Sequence, residues 1–269
     1  MAVANETAQI MEYSNQLEVK SEELERTARQ LRRANDKLLL VSEQKDEFLS
    51  QVSHELRTPM TSVRAFSEIL RDSEKLSEAE KRRYGGIIHD EAVRLTRLLD
   101  DLLDLNVLEN GGVSLNSQNA ELRSVLDHSI NTALSGAETE LRVRKSNLGD
   151  IELVTDLDRL SQVFINVIRN AQKYCDADKP KLTISAIQDA EKIMVDFVDN
   201  GSGIPESAQD MIFDKFARVN PQKAGGAGLG LAICREIMER LGGDISYLPG
   251  QGGAAFRVTV PHRLREAAQ

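Results

Sequence analysis

A single helical segment, Asp158-Arg-Leu-Ser-Gln-Val-Phe-Ile-Asn-Val-Ile-Arg-Asn-Ala-Gln-Lys-Tyr174, decides how the second half of the chain folds. Its apolar residues recur at helical spacing and form one stripe: Leu160, Val163, Phe164, Val167, Ile168 and Ala171. Asn166, Asn170 and Lys173 stand at i, i+4 and i+7, so they share the opposite face. Amide oxygens bind hard cations and lysine suits phosphate, so this face could hold a magnesium–phosphate group. An ordinary solvated face would have the same composition.

Two glycine-rich segments follow this helix. Met194–Val198 predicts a buried strand, which ends in Asp199-Asn-Gly-Ser-Gly203. A carboxylate at a strand end can accept a hydrogen bond from an exocyclic amine such as that of adenine, although an Asx-turn would also favour Asp there. Gly225-Gly-Ala-Gly-Leu-Gly230 directly precedes a helix, as phosphate-binding loops do, but matches neither the GxGxxG nor the P-loop pattern. The order of the three segments is what indicates a nucleotide site.

Strand and helix patterns alternate from about residue 113 to residue 262, which predicts an α/β layered domain. The expected strands are Val113–Leu115, Ile151–Val154, Leu182–Ile187, Ile193–Val198, Asp244–Leu248 and Ala255–Val260. The expected helices cover about 121–134, 157–174 and 229–241. The last two strands are expected to pair through the turn at Pro249–Gly253. The tail Arg263–Gln269 is expected to fray.

The first 44 residues carry a heptad pattern. Its leading apolar positions are Ile10, Leu17, Leu24, Leu31 and Leu38, and a mixed set follows three residues after each. Five heptads among charged and amide side chains predict a parallel coiled coil, with a solvated single helix as the alternative.

Residues 45–112 predict an antiparallel helical hairpin. No helix breaker separates the coil from residues 45–54, so the helix is expected to run on through His54 toward Leu70. A turn at 72–78 offers Ser73 or Ser77 as an N-cap, and a second helix ends at Asn110-Gly-Gly112. Two such hairpins would form a four-helix bundle. Gly85-Gly86 inside the second helix marks either a bending or close-packing point or a tolerated pair.

The hairpin also carries a possible nucleophile in Ser53-His-Glu-Leu-Arg-Thr-Pro59. Pro59 cannot donate to the carbonyl of Glu55, so a kink is expected there, and Thr58 lies on the same helix face as His54. An imidazole with a pKa near ~6.5 is mostly neutral, hence nucleophilic, near neutral pH. A lone helical histidine is commonly structural; the neighbouring acid, hydroxyl and proline favour chemistry.

Composition excludes several classes of protein. Lys and Arg number 34 against 43 Asp and Glu in 269 residues, and the formal charge of −9 argues against nucleic acid as the main partner. No apolar run approaches the ~18 residues of a membrane helix. Cys175 and Cys234 form no CxxC pair, which favours a reducing, cytoplasmic compartment over a disulfide framework.

Five segments, in order, resemble the sequence boxes of bacterial sensor histidine kinases. They are Phe48–Pro59 for the H box, Asn166–Tyr174 for the N box, Asp199–Pro205 for the G1 box, Ile212–Val219 for the F box and Gly226–Leu231 for the G2 box. The resemblance covers about residues 40–262. It implies an α+β multidomain chain: a coiled coil (1–44), a dimerization and phosphotransfer hairpin (45–112), and an ATP-binding α/β sandwich of the Bergerat type (113–262), followed by a tail (263–269).

The resemblance implies a role for each matching position. His54 would accept the phosphoryl group, Glu55 would draw the ring proton, and Thr58 would position a water for dephosphorylation of the partner. Asn170 would be the magnesium ligand and Asp199 the carboxylate that binds the adenine amine. The remaining nucleotide contacts would be Asn166, Lys173, Tyr174, Gly201, Gly203, Arg218, Gly226, Gly228 and Gly230.

The implied function is ATP- and Mg²⁺-dependent autophosphorylation of His54 within a homodimer, followed by transfer to an aspartate of a separate response regulator. A phosphatase-dominant protein and a non-catalytic coiled-coil scaffold are the alternatives. The start in mid-coil suggests that an upstream sensor region, which could be membrane-bound, is missing. The sequence departs from the family at Cys175, where Ser or Thr is usual, and in a short lid between Arg218 and Gly226.

Overall fold

The computed structural model describes residues 2–73, 75–109, 115–135, 141–219 and 227–264. It divides into two compact units, Met1–Arg57 and Thr58–Gln269. Within the described residues, no helix is both long enough and apolar enough to cross a membrane.

The first unit consists of one helix, α1 (Ala2–Asp72), which continues into the second unit. The described leucines of the leading heptad position are strongly exposed: Leu24 and Leu31 at 71% each, and Leu38 at 69%. A single chain therefore leaves this apolar seam uncovered. The helix also passes through Pro59, so the predicted course through His54 toward Leu70 is confirmed.

The last turns of α1 contact the start of α2 (Glu78–Glu109). The rings of Phe66 and Tyr84 stack at 5.4 Å across the connection. Ser77, rather than Ser73, is the N-cap of α2. Its hydroxyl accepts a hydrogen bond from the backbone N–H of Glu80 at 3.3 Å, and the Glu80 carboxylate accepts one from the N–H of Ser77 at 2.8 Å. A Cβ at Gly85 or Gly86 would meet nothing within 4 Å in this chain. The predicted stop at 110–112 lies outside the described residues.

The α/β domain is a sheet covered by helices. The strands of its five-stranded sheet are β2 (Arg142–Ser146), β4 (Lys181–Gln188), β5 (Lys192–Asp199), β6 (Asp244–Tyr247) and β7 (Ala255–Pro261). Their order in the sheet is β2-β4-β5-β7-β6, in which β2 and β4 are parallel and the other neighbours antiparallel. β1 (Ser117–Glu121) and β3 (Glu152–Asp156) form a separate antiparallel pair. The helices are α3 (Leu122–Leu134), α4 (Leu157–Tyr174), the short α5 (Glu206–Gln209) and α6 (Gly230–Arg240).

The predicted apolar stripe forms the inner face of α4, and all its members are buried. Phe164 of this stripe packs on Phe197 of β5, with ring centroids 5.3 Å apart. Burial of each such side chain contributes roughly 1.5–3 kcal/mol. The N-terminus of α4 is capped by Asp156, whose carboxylate accepts from the N–H of Arg159 at 3.0 Å. The apolar stripe and this cap anchor the helix that carries the amide face.

Two expectations about strands and termini are wrong. Val113 lies outside the described residues, Leu115 is not in a strand, and the first strand is the polar segment Ser117–Glu121, which gains its partners from backbone pairing with β3. The expected fraying of the tail is wrong for its first two residues, Arg263 and Leu264, and residues 265–269 lie outside the described residues. The N–H of Leu264 donates to the carbonyl of Val154 at 2.8 Å, and Arg263 bridges the same residue.

Candidate functional site

Asp199 ends β5 and is nearly buried, with 8% of its surface exposed. Its Oδ1 accepts hydrogen bonds from the N–H groups of Gly201 and Ala254, both at 2.9 Å. Among the described residues, the Asp199 carboxylate forms no hydrogen bond other than these two, so Oδ2 remains available to a ligand donor. The predicted Asx-turn and the predicted ligand carboxylate are therefore compatible, since they use different oxygens.

The environment of Asp199 opposes ionisation. Burial raises the pKa of this carboxyl group, and the charge of Asp176 acts in the same direction, while the two N–H donors lower it. An ionised carboxylate that is buried has lost part of its hydration, which raises its free energy. A hydrogen bond from a ligand N–H replaces that hydration and stabilises the charge. The site thus suits an exocyclic amine.

Glycines let backbone segments close around Asp199. A Cβ at Gly253 would lie 2.1 Å from the carbonyl oxygen of Asp199, and Gly203 adopts a φ of +78° beside Gly253. The N–H of Ile204 donates to the Tyr247 hydroxyl at 3.3 Å, which fixes the exit of the turn. Side chains at these glycines would displace the turn that presents the carboxylate.

The amide face of α4 meets the start of α6. The side-chain amide of Asn166 donates to the carbonyl of Gly230 at 3.5 Å, and the buried thiol of Cys234 donates to the carbonyl of Val163 on α4 at 3.9 Å. Asn170 is half-buried one turn further on. The Lys173 ammonium lies 4.6 Å from the ring centroid of Tyr174, whose side chain is 41% exposed.

The F-box segment packs between the sheet and the G2 segment. Phe213 is buried edge-to-face on Phe256 of β7, and the Arg235 guanidinium lies 4.6 Å above its ring. Gly228 has a φ of +74°, and a Cβ there would approach Phe216 and Ala217 at 2.7 Å. Phe216 itself has a positive φ of 63°. Arg218 is half-buried at the end of this segment, and Gly226 with the predicted lid lies outside the described residues.

These contacts join the four motifs of the α/β domain into one site. α4 contacts β5 through Phe164 and the start of α6 through Asn166. Gly253 and Ala254, at the end of the turn between β6 and β7, contact Asp199. The G2 segment in turn packs on the F segment at Gly228. The structure thus brings together residues spread from 164 to 254, as the order of the motifs predicts.

The H-box residues lie on α1. His54 and Thr58 are exposed, Glu55 is half-buried, and Pro59 is buried. The boundary between the two units falls between Arg57 and Thr58, directly before Pro59, where the sequence predicts a kink. Pro59 has no N–H and therefore donates no helical hydrogen bond to the Glu55 carbonyl. His54 and the nucleotide motifs thus belong to different units.

The side chains and backbone groups of this site fit ATP with magnesium. Asp199 offers an acceptor to the adenine amine, the glycines provide a surface that a flat base can approach, and Gly230 begins a helix of 11 residues whose N–H groups suit phosphate. Asn170 offers the neutral oxygen that a hard cation accepts.

Sequence reasoning missed several residues that build this site. The sequence predicts the turn at Pro249–Gly253 only as a strand connection, yet Gly253 and Ala254 orient Asp199. Cys234 and Tyr247 support the site from α6 and β6 without any motif of their own. The run of glycines at 250, 252 and 253 was the available signal.

Fold and site together define an ATP-binding α/β domain linked to a histidine-bearing helical hairpin, the organisation of a histidine kinase core. Family comparisons agree: the His Kinase A (phospho-acceptor) domain matches residues 44–111, and the histidine kinase-, DNA gyrase B-, and HSP90-like ATPase family matches residues 155–264. The chain belongs to the bacterial sensor histidine kinase family.

Similar proteins support the same assignment. The sensor protein kinase WalK of Staphylococcus aureus is 35% identical over 233 residues, which cover 84% of this chain and 56% of that protein. The chain thus spans about half the length of this relative. The Acinetobacter baumannii histidine kinase AdeS is 26% identical with a TM-score of 0.60, and the match covers 78% of this chain and 98% of AdeS. Full-length ShkA, solved in complex with AMPPNP, is 26% identical with a TM-score of 0.57 and covers 82% of this chain, which spans 47% of ShkA.

Proposed function

We propose that the chain uses ATP to phosphorylate His54 and then passes the phosphoryl group to an aspartate of a separate response regulator. The observation that carries the proposal is the oriented Asp199, whose Oδ1 is held by two backbone N–H groups while Oδ2 remains for the adenine amine. ShkA, a similar protein, is in complex with AMPPNP in its crystal structure, in agreement with an adenine nucleotide here.

The proposed reaction is an in-line displacement at the γ-phosphorus. A ring nitrogen of His54 forms the N–P bond, the bond to the β,γ-bridging oxygen breaks, ADP leaves, and Glu55 takes the proton from the other ring nitrogen. Asn166, Lys173 and Arg218 would orient and balance the phosphate charge, and positioning supplies most of the rate. Asn170 would hold Mg²⁺, which neutralises phosphate charge when bound.

Radiolabelling of the full chain tests this proposal. With [γ-³²P]ATP we expect an acid-labile label that His54→Gln abolishes. His89→Gln is the matched control, because His89 is an exposed histidine on α2. Label that survives in His54→Gln, or that disappears equally in His89→Gln, would contradict the assignment.

The regulator is proposed to dock on the hairpin below His54, near Val63–Leu70 and α2, and Thr58 is proposed to support its dephosphorylation. Thr58 is exposed, four residues from His54 on the same helix. Thr58→Ala should slow loss of phosphate from the phosphorylated regulator and spare autophosphorylation. An equal change in both activities would remove any special hydrolytic role for Thr58.

The working form is proposed to be a homodimer in the cytoplasm, with α1 transmitting a signal from an upstream sensor. The exposed heptad leucines support the dimer, because a second copy would bury them.

A further inference from the structure

The segment that follows α4 is tied to the glycine turn that follows β5. Asp176 Oδ1 accepts from the N–H of Ser202 at 2.7 Å. The side-chain oxygen of Asn200 accepts from the N–H of Lys181 at 2.7 Å and from the thiol of Cys175 at 3.3 Å. The Asn200 amide donates to the carbonyl of Lys179 at 3.1 Å. The two chain segments are thereby joined by side chains of both.

The turn lies against this segment at close range. A Cβ at Gly201 would come within 2.9 Å of Asp176 Oδ1 and 3.2 Å of the Cys175 Cα. Glycine at 201 therefore permits the Asp176 contact, and that contact in turn fixes the peptide between Gly201 and Ser202. The N–H of Gly201 is one of the two donors that orient Asp199.

We propose that Asp176 is a positioning residue for nucleobase recognition: by holding the Ser202 N–H, with Asn200 as its support, it fixes the direction of Asp199 Oδ2 and thereby the preference for adenine over guanine. This inference rests on the proposed ATP-binding function. Guanine presents a carbonyl oxygen where adenine presents its amine, so a correctly oriented carboxylate attracts one base and repels the other.

Loss of Asp176 frees a turn that contains two glycines. A flexible turn averages the position of Asp199 over several orientations, which weakens the amine contact but leaves the phosphate contacts of α4 and α6 unchanged. A charge-assisted hydrogen bond to a carboxylate contributes about 1.5 kcal/mol, equivalent to roughly a tenfold change in affinity.

The test measures displacement of a fluorescent ATP analogue from the full chain by ATP and by GTP. Asp176→Ala should weaken ATP binding about tenfold and lower the ATP/GTP affinity ratio by a similar factor. Asp176→Asn keeps an acceptor for Ser202 and should stay within about twofold of the wild type. Asp178→Ala is the matched control, because it removes the same charge from an exposed position on the same segment.

The outcomes distinguish a failure of the proposed ATP binding from a failure of the positioning role of Asp176. A wild-type chain that does not bind ATP contradicts the proposed function. A wild-type chain that binds ATP, together with an Asp176→Ala variant that matches Asp178→Ala or loses ATP and GTP equally, contradicts the positioning role. If Asp176→Ala does not fold, Asn200→Ser must lower the same ratio, since it removes the ties to Lys179 and Lys181; an unchanged ratio rejects the inference.

Discussion

One substitution at Asp199 can separate the orientation of its side chain from its recognition of the adenine amine. Asp199→Asn can keep its oxygen on the N–H groups of Gly201 and Ala254, but it places an amide donor where Oδ2 would meet the adenine amine. We expect ATP affinity to fall by about 10–100-fold without loss of fold, as a calorimetric titration would measure.

Asp196 provides the control for this prediction because it lies on the same strand. Its carboxylate forms a paired ion bridge with Arg257, with N–O distances of 2.7 and 2.8 Å. Asp196→Asn should lower the melting temperature yet leave ATP affinity unchanged. Equal affinities for both variants would mean that Asp199 does not contact the base.

The two cysteines should differ in reactivity. Burial raises the pKa of the Cys234 thiol to about 12 and its side chain is inaccessible, whereas Cys175 is half-buried and not in a disulfide. At pH 8 we expect iodoacetamide to add one carbamidomethyl group to the native chain and two in denaturant, as measured by intact mass. Cys175→Ser should abolish the native adduct. A modified Cys234 peptide from native protein would contradict the buried site.

Single residues also mark the limit of what the sequence could predict. Asp199 was predictable because an acid at the end of an apolar strand, followed by glycines, is a local pattern. Asp176 and Ala254 were not, because their roles depend on backbone N–H groups that every residue but proline carries, brought together by contacts over 26 and 55 residues. Only the fold identifies which N–H is used.

At the scale of elements, the second half of α2 packs on the α/β domain through acidic side chains. Asp104 accepts from the Gln162 amide at 2.8 Å and lies 3.5 Å from the Arg159 guanidinium. Burial, with the charges of Asp104 and Asp100, raises the pKa of Asp101 to about 6, against the opposing charges of Arg97 and of Arg169 on α4. Ionised Asp101 is therefore a cost to the folded state.

This cost predicts a pH dependence of stability. The pKa of Asp101 is higher in the folded than in the unfolded chain, so the contribution of this group to the free energy of unfolding rises as the pH falls from 7.5 through 6 toward 4. Asp101→Asn removes the titration and should raise the melting temperature at pH 7.5 by about 2–4 °C, for roughly 1 kcal/mol after allowance for solvent screening. It should also flatten the pH profile. Asp90→Asn, on the exposed face of α2, should do neither; a steeper profile in Asp101→Asn would contradict the packing.

Elements were predictable where one periodicity dominates. α4 was predicted at its observed bounds because its apolar stripe repeats at helical spacing over 18 residues. β2 was missed because Arg142–Ser146 is a charged edge strand, and edge strands use charge to prevent further pairing. Its place follows from the parallel register with β4, a long-range contact that no local pattern encodes.

For the whole molecule, the exposed seam of α1 predicts dimerisation through the coiled coil. Leu24 and Leu31 are each 71% exposed in one chain, and burial of such a side chain contributes roughly 1.5–3 kcal/mol. The double change Leu24→Lys and Leu31→Lys should weaken the dimer by at least about 100-fold, as sedimentation would measure, and leave ATP affinity unchanged. Asp36→Asn with Glu43→Gln adds the same charge at outward heptad positions and should preserve the dimer. An equally tight dimer in both variants would instead support a solvated single helix in this part of α1.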